Sequence, residues 1–430
     1  MDPVPPDSHL SRHISDLVDK GAVKARGAIH SPAGIKLVED GEVVTRALYD
    51  ELTHNHLLPS PAECLDITDP VTPLWLSQAV EDLLGDQPAF ISLLPEDEVR
   101  QKIIHVFSTI PLSPQLTFKL TIARDERPEI LTHSLQVAYC AAALAHHSHM
   151  APHEMVNAAA AGVFHDLGLL HVDPALVSTD HPLTEQERHH FYSHPVLAYL
   201  ILERSPIWHP IVSTAVLEHH ERIDGSGYPK GLTGARLGSL GQLLAVSELA
   251  ATLLSLGGDY ASRDRLSIIL RMNAGKLNHE HCAHLLAMFP PSSVPADEFR
   301  TPGIALELLL NLSVALLRWD TIGKRSPGSP LAKFMTLRLA QLRQSLAEVG
   351  IDLEYWSTFS IADSELDSTT LGEMEVAVRE AIWQLHAIVA EAHRRWDHLL
   401  PGSEGIAEPV QDWLNGIESI NPAGTTAAGG

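Results

Sequence analysis

His165 and Asp166 stand next to each other in the run VFHDLG at residues 163–168. An imidazole beside a carboxylate suits metal ligation or proton transfer. In a chain of 430 residues with 26 histidines, such a dipeptide means little alone. Its surroundings give it weight. Glu129 and His133 lie four apart, which puts both on one face of a helix. His194 precedes Pro195, and His219 and His220 precede the glycine-rich stretch DGSGYP at 224–229. Glu248 sits within a long apolar segment. Of the histidines, 14 fall between Leu131 and Lys230, where an even spread would put about 6. Taken singly, a helical histidine is more often a satisfied polar residue than a ligand, and His146, His147, His149, His189 and His190 read that way. Taken together, buried imidazoles and acids need something to neutralise and order them, and metal ions do both. Nitrogen and oxygen donors without a thiolate favour iron, manganese or similar ions over a structural zinc site.

Helices must hold these residues. Pro128 suits the first turn of one running to about His147, because proline there sacrifices no needed N–H. Pro152 opens another that reaches Asp166, with Gly168 as its C-terminal stop. Thr184 and Glu187 form a capping-box pair ahead of a third. Pro195 and Pro210 each mark a further start, and a last helix spans Ser239–Leu256. Successive helices thus each present imidazole or carboxylate groups, as bundles do when they build di-metal sites in their cores.

His133, then VFHDLG, then His194-Pro195, then HHERIDGSGYPKGLTG at 219–234 follow the ordered motifs of the HD-GYP domains. The chain resembles that branch of the HD-domain metal-dependent phosphohydrolases from about Leu116 to Leu286. The resemblance implies a mainly α fold: an HD-type helical bundle with a small N-terminal α/β module and a helical C-terminal extension. Family members open cyclic di-GMP to linear pGpG, and often on to GMP, in bacterial second-messenger signalling. They do so with two or three iron or manganese ions and a metal-bridging hydroxide. Carried over by position, His133, His165 and Asp166 hold a first metal. Asp166 bridges to a second held by His194, His219 and His220, while Glu129 matches the acid of trinuclear members. His165 and Asp166 are thereby the expected catalytic pair. Asp224, Gly225, Gly227, Tyr228 and Pro229 form the rim loop, which in the family is linked to partner GGDEF domains.

Three departures bear on activity. Leu169 stands where the family's HD-x-GK motif has a lysine able to meet a phosphate, and a leucine cannot replace a cation in a preorganised site. Glu248, in Val246-Ser247-Glu248, takes the place of a ligand aspartate, with one extra methylene to absorb. Gly257 and Tyr260 stand near the positions of an expected arginine and lysine. The leading expectation is a metal-dependent cyclic di-GMP phosphodiesterase. The alternative is a weakened or inactive HD-GYP-like domain that binds a nucleotide or a GGDEF partner.

The rest of the chain bounds these readings. It carries 30 Lys+Arg against 54 Asp+Glu, a net charge of −24. That argues against DNA phosphates or anionic lipid as partners, but not against a small anion held through bound cations. Cys64, Cys140 and Cys282 are few and far apart, which suits a reduced cytoplasmic chain. No apolar run approaches the ~20 residues of a membrane span. Residues 1–113 are expected as the α/β module and linker, 114–290 as the phosphohydrolase domain, 291–400 as a helical region and 401–430 as a disordered tail. The C-terminal stripes Leu331, Met335, Leu339, Leu342, Leu346 and Met374, Val378, Ile382, Leu385, Val389, Trp396 fit helices that pair in-chain or across a homodimer.

Overall fold

The computed structural model describes residues 7–31, 34–54, 61–177, 185–205, 207–256, 263–289, 302–324, 329–353, 368–396, 408–418 and 420. Two compact units divide the chain: 1–255 with 283–288, and 256–282 with 289–430. The fold is mainly α, with a small α/β module at its start.

The first unit begins with α1 (Asp7–Asp19), which buries Ile14, Leu17 and Val18. Strand β1 (Val23–Ala25) pairs antiparallel with β4 (Leu65–Ile67), in register Val23 with Ile67. Its alternation buries Val23 and Ala25 and exposes Lys24, as a two-residue side-chain period requires. Ala22–Ile29 does not run as one strand. Gly27 adopts φ +79°, a left-handed turn that only glycine takes freely, and β2 (Ile29–His30) departs to pair with β3 (Lys36–Val38). Thr45 Oγ1 accepts from the Leu48 amide at the start of α2 (Arg46–His54), and the short α3 (Pro61–Cys64) leads into β4. Helices α4 (Pro73–Asp86) and α5 (Asp97–Ser108) then pack on each other.

The bundle that positions the site comprises α6 (Pro114–Glu126), α7 (Pro128–His147), α8 (Pro152–Phe164), α9 (Glu185–Phe191), α10 (His194–Glu203), α11 (Pro210–Glu218) and α12 (Ser239–Leu256). Proline occupies the first or second position of α6, α7, α8, α10 and α11, where it needs no amide partner. Helices α7 and α8 pack extensively on each other. A Cβ on Gly162 would lie 2.4 Å from the Ala138 Cα, so the small residues of both helices are what let them meet. Helix α12 is the one described helix long and apolar enough to cross a membrane, and most of it is buried in the bundle.

The second unit contains α13 (Arg263–Met272), α15 (Pro302–Gly323), α16 (Pro330–Glu348), α17 (Ser368–Arg395) and α18 (Glu408–Glu418); α14 (His279–Met288) begins in it and ends in the first. Both C-terminal stripes are buried here except Trp396, which is half-buried, and α15, α16 and α17 pack together, so in-chain pairing is the arrangement observed. The expected disorder after residue 401 is corrected over 408–418. Val410, Trp413, Leu414 and Ile417 give α18 a buried apolar face, and the Trp413 indole donates to the Ala315 carbonyl at 2.7 Å. Thr184, Gly257, Tyr260 and most of the polar stretch 357–370 lie outside the described residues.

Candidate metal centre

Helix α8 ends at Phe164, which leaves His165 and Asp166 at the turn into a 3-10 segment, Leu167–His171. Gly168 is not a helix stop, since its φ is not left-handed. Its missing side chain makes room instead: a Cβ there would lie 2.0 Å from the carbonyl oxygen of His194. The first turn of α10 is thereby seated directly on the HD turn. His219 and His220 follow the last residue of α11, and Glu248 projects from α12.

Two groups of donors converge. Ligand atoms of His133, His165 and Asp166 lie within 4.8 Å of one another, and so do those of His194, His219 and His220. Asp166 joins the groups. Its Oδ2 is 3.3 Å from His165 Nε2, and its Oδ1 is 3.4 Å from His194 Nε2 and 3.9 Å from His219 Nε2. The Nε2 atoms of His194 and His219 are 3.4 Å apart. Glu248 Oε2 stands 3.7 Å from His220 Nδ1 at the far side of the second group.

Backbone carbonyls orient three of the rings. Nδ1 of His165 donates to the Gly162 carbonyl (2.8 Å), Nδ1 of His194 to Phe191 (2.8 Å) and Nδ1 of His219 to Val216 (2.6 Å). Each bond spans three residues and turns the Nε2 lone pair toward Asp166. A carbonyl on the outer nitrogen is the usual device for fixing a ligand histidine's tautomer and raising its basicity.

The electrostatics suit cations. Burial pushes the pKa of His194, His219 and His220 down, so these rings are neutral and hold free lone pairs. Burial works against charge on His165 and Asp166 too, but each stabilises the other. Asp166 titrates well below the usual carboxylate range, and His165 is carried up to about 9. Burial likewise lifts Glu248 to about 7. Two buried atoms, His165 Nε2 and Glu248 Oε2, have no hydrogen-bond partner. Such orphans are costly unless something binds them, and a divalent ion would replace the proton His165 otherwise keeps. The residues present therefore fit divalent metals.

Some expected residues stand apart. Glu129 is 57% exposed and ion-paired to Arg127 Nε at 2.5 Å, outside both donor groups. The rim loop adjoins the site through Tyr228, whose ring stacks on His220 with centroids 4.6 Å apart. Asp224 Oδ1 accepts from the Ser226 amide and hydroxyl, which makes it a turn former. A Cβ on Gly227 would meet the His220 carbonyl oxygen at 2.4 Å, so this loop can fold under the ligand pair only with glycine there.

Two residues of the HHER segment matter more than their sequence suggested. Glu221 is buried and accepts from the amides of Lys230 (2.6 Å) and Leu232 (2.9 Å), bracing the loop's return. Its place directly after His219-His220 was the only available signal. Arg222 donates through Nη1 to the carbonyls of His219 and Glu221, and its charge acts on His220, Tyr228 and Glu248. Arg222 thus supplies a side-chain cation close to the site. Leu169 takes the place where the resembled motif has a lysine. It is buried in an apolar cluster with Ile130, Val172 and Leu176.

The sequence profile of the HD-domain family matches residues 119–275, a span that holds every residue of both donor groups and Glu248. Over 96 residues the chain is 34% identical to the cyclic di-GMP phosphodiesterase response regulator RpfG of Xanthomonas campestris, covering 22% of this chain and 25% of that protein. The chain carries an HD-GYP domain. A second relative is cyclic di-GMP phosphodiesterase PdeB of Borreliella burgdorferi, 28% identical over 29% of this chain and 33% of its own length. A third, 3'3'-cGAMP-specific phosphodiesterase 3 of Vibrio cholerae, is 24% identical over 40% of this chain and 39% of its own. The chain therefore spans about a quarter to two fifths of the length of these relatives. A solved HDGYP protein from Bdellovibrio bacteriovorus aligns over 62% of this chain and 94% of its own, at 16% identity and a TM-score of 0.35.

Proposed function

We propose that this HD-GYP domain is a metal-dependent phosphodiesterase that hydrolyses cyclic di-GMP to pGpG or GMP. The observation that carries the reading is Asp166, with one carboxylate oxygen facing His165 and the other facing His194 and His219. In this reading His133 and His165 hold one ion, His194, His219 and His220 hold another, and Asp166 is shared. Iron or manganese best matches the donors, which are imidazole and carboxylate throughout. Such a pair of ions, when bound, supplies Lewis acidity toward a phosphodiester and lowers the pKa of water.

The protein's own contribution is order. Carbonyl-locked imidazoles keep their lone pairs aimed inward, so little reorganisation accompanies the reaction. Glu248 stands beside His220 with its buried Oε2 unpartnered, which suits it as a further ligand of the second ion. Tyr228 and the braced loop behind it wall the site, and Arg222 adds positive potential toward an anionic substrate. Residues 114–290 are the proposed phosphohydrolase domain, and a GGDEF-domain protein is the proposed partner of the rim loop.

The burial of Leu169 favours a second reading in which substrate binds but turns over slowly, because a leucine stands at the motif's lysine position. Protein prepared anaerobically with iron or manganese, with bound metal counted and cyclic di-GMP conversion followed by chromatography, separates the two. Conversion that is lost together with metal in Asp166→Ala supports the enzyme. Metal and cyclic di-GMP bound without conversion supports the second reading, and full activity in Asp166→Ala refutes both.

A further inference from the structure

Helix α1 and the end of α6 meet at a third cluster of donors, within the first unit. One imidazole nitrogen of His13 and one oxygen each of Asp16 and Glu126 lie within 4.8 Å of one another. His13 and Asp16 are three apart on α1 and share its face. Donors about 2.1 Å from a common ion sit about 3–4.3 Å apart, so small side-chain rotations complete the geometry.

A separate observation supports a ligand there. His13 is 7% exposed, and its Nε2 is fully buried without a hydrogen-bond partner. A buried ring nitrogen with no partner carries an unmet desolvation cost that an ion would remove. Burial, reinforced by Arg127, also holds the His13 pKa down, so the ring is neutral and offers its lone pair.

Local charge points to a cation. Glu126 is the last residue of α6, where its carboxylate meets the negative end of the helix dipole and the carboxylate of Asp16. Cations also lie near, and Arg12 and Arg127 both act on His13. Arg127 is paired to Glu129, and Lys20 reaches Glu126 Oε1 at 2.5 Å from a side chain that is 58% exposed. An ammonium on so exposed a stem exchanges easily with solvent, and it serves as a replaceable stand-in.

We propose that His13, Asp16 and Glu126 form a structural site for a divalent transition ion of the manganese or zinc class, with Lys20 as its competitor. The imidazole excludes a dedicated calcium or magnesium cage. The ion ties the N-terminal helix to the residue that ends α6, three residues before Glu129 and seven before the ligand His133. Its occupancy therefore sets how firmly the N-terminal module is held against the domain that carries the metal centre.

The test is manganese(II) binding to the full chain, read by electron paramagnetic resonance and by metal analysis after gel filtration. Asp166→Ala and Asp166→Ala/His13→Gln are compared, so the count does not depend on the centre described above. The double variant is expected to bind one ion fewer, and Lys20→Met in the Asp166→Ala background is expected to bind that ion roughly threefold more tightly, the scale of one exposed charge. Equal ion counts in the two proteins would overturn the site. Should His13→Gln lose its circular dichroism signature, the near-isosteric Asp16→Asn provides the same count. Failure of the proposed catalytic centre would show differently, as equal counts in wild type and Asp166→Ala.

Discussion

Gly168→Ala tests whether backbone packing positions the metal ligands. The added Cβ would sit 2.0 Å from the His194 carbonyl oxygen, 2.8 Å from its carbon and 2.9 Å from its Cα. Real Cβ atoms essentially never approach closer than 3.0 Å, so the HD turn and the start of α10 must separate by at least about 1 Å. His194 cannot absorb that shift alone. Its Nδ1 is bonded to the Phe191 carbonyl, and its Nε2 lies 3.4 Å from both Asp166 Oδ1 and His219 Nε2. Overpacking of this kind costs about 1–3 kcal/mol, and each kcal/mol lowers Tm by about 2–4 °C in a domain of this size. A fall of roughly 2–12 °C is expected. Displacing one ligand's support should also weaken manganese binding by about 10–100-fold. Differential scanning fluorimetry and manganese titration measure both. Gly85→Ala is the control: nothing lies within 4 Å of its Cβ position inside α4, so stability should hold or rise by about 0.5–1 kcal/mol. A Gly168→Ala protein with unchanged Tm and unchanged metal affinity would refute the reasoning.

Three further expectations follow from the same contacts. Leu169→Ala opens a cavity among Ile130, Val172 and Leu176 and should cost about 2–5 kcal/mol in chemical denaturation; a loss under about 0.5 kcal/mol would contradict its burial. Glu221→Gln should lose at least one charge-assisted bond worth about 1.5–3 kcal/mol, and hydrogen exchange should show the Lys230 and Leu232 amides deprotected at least about tenfold, with unchanged protection as the contrary result. His171 is pushed down to about 3 by burial and then by Lys119, whose Nζ is 3.2 Å from its Nε2. Above about pH 6.5 the ring is neutral in both states. As pH falls from there toward about 3, the unfolded chain takes a proton that the folded ring refuses, so stability is lost at up to about 1.4 kcal/mol per pH unit. His171→Asn should flatten that acid limb, and an identical limb in both proteins would count against the assignment.

The helices and the donor residues were legible because their signals are local. Proline at Pro128, Pro152 and Pro210 marks helix starts directly, and the observed helices begin there. The order of His133, His165-Asp166, His194 and His219-His220 survives in sequence because helix ends and junctions carry the ligands. Other features depend on contacts between distant segments. Gly168 reads as a helix stop until His194 is seen pressed against it. The role of Glu221 depends on the loop nine residues on folding back to it. The cluster of His13, Asp16 and Glu126 joins residues more than 100 positions apart, which no local pattern displays. The helix Glu408–Glu418 was obscured by the Gly-, Ala- and Pro-rich residues around it, although Trp413 and its apolar neighbours give it a buried face.

The most direct test of the central claim is the anomalous scattering of crystals of the manganese-loaded protein. The account predicts two peaks flanking the Asp166 carboxylate, one beside His133 and His165 and one among His194, His219 and His220. Crystals of fully loaded protein with no peak within coordinating distance of Asp166 would contradict it.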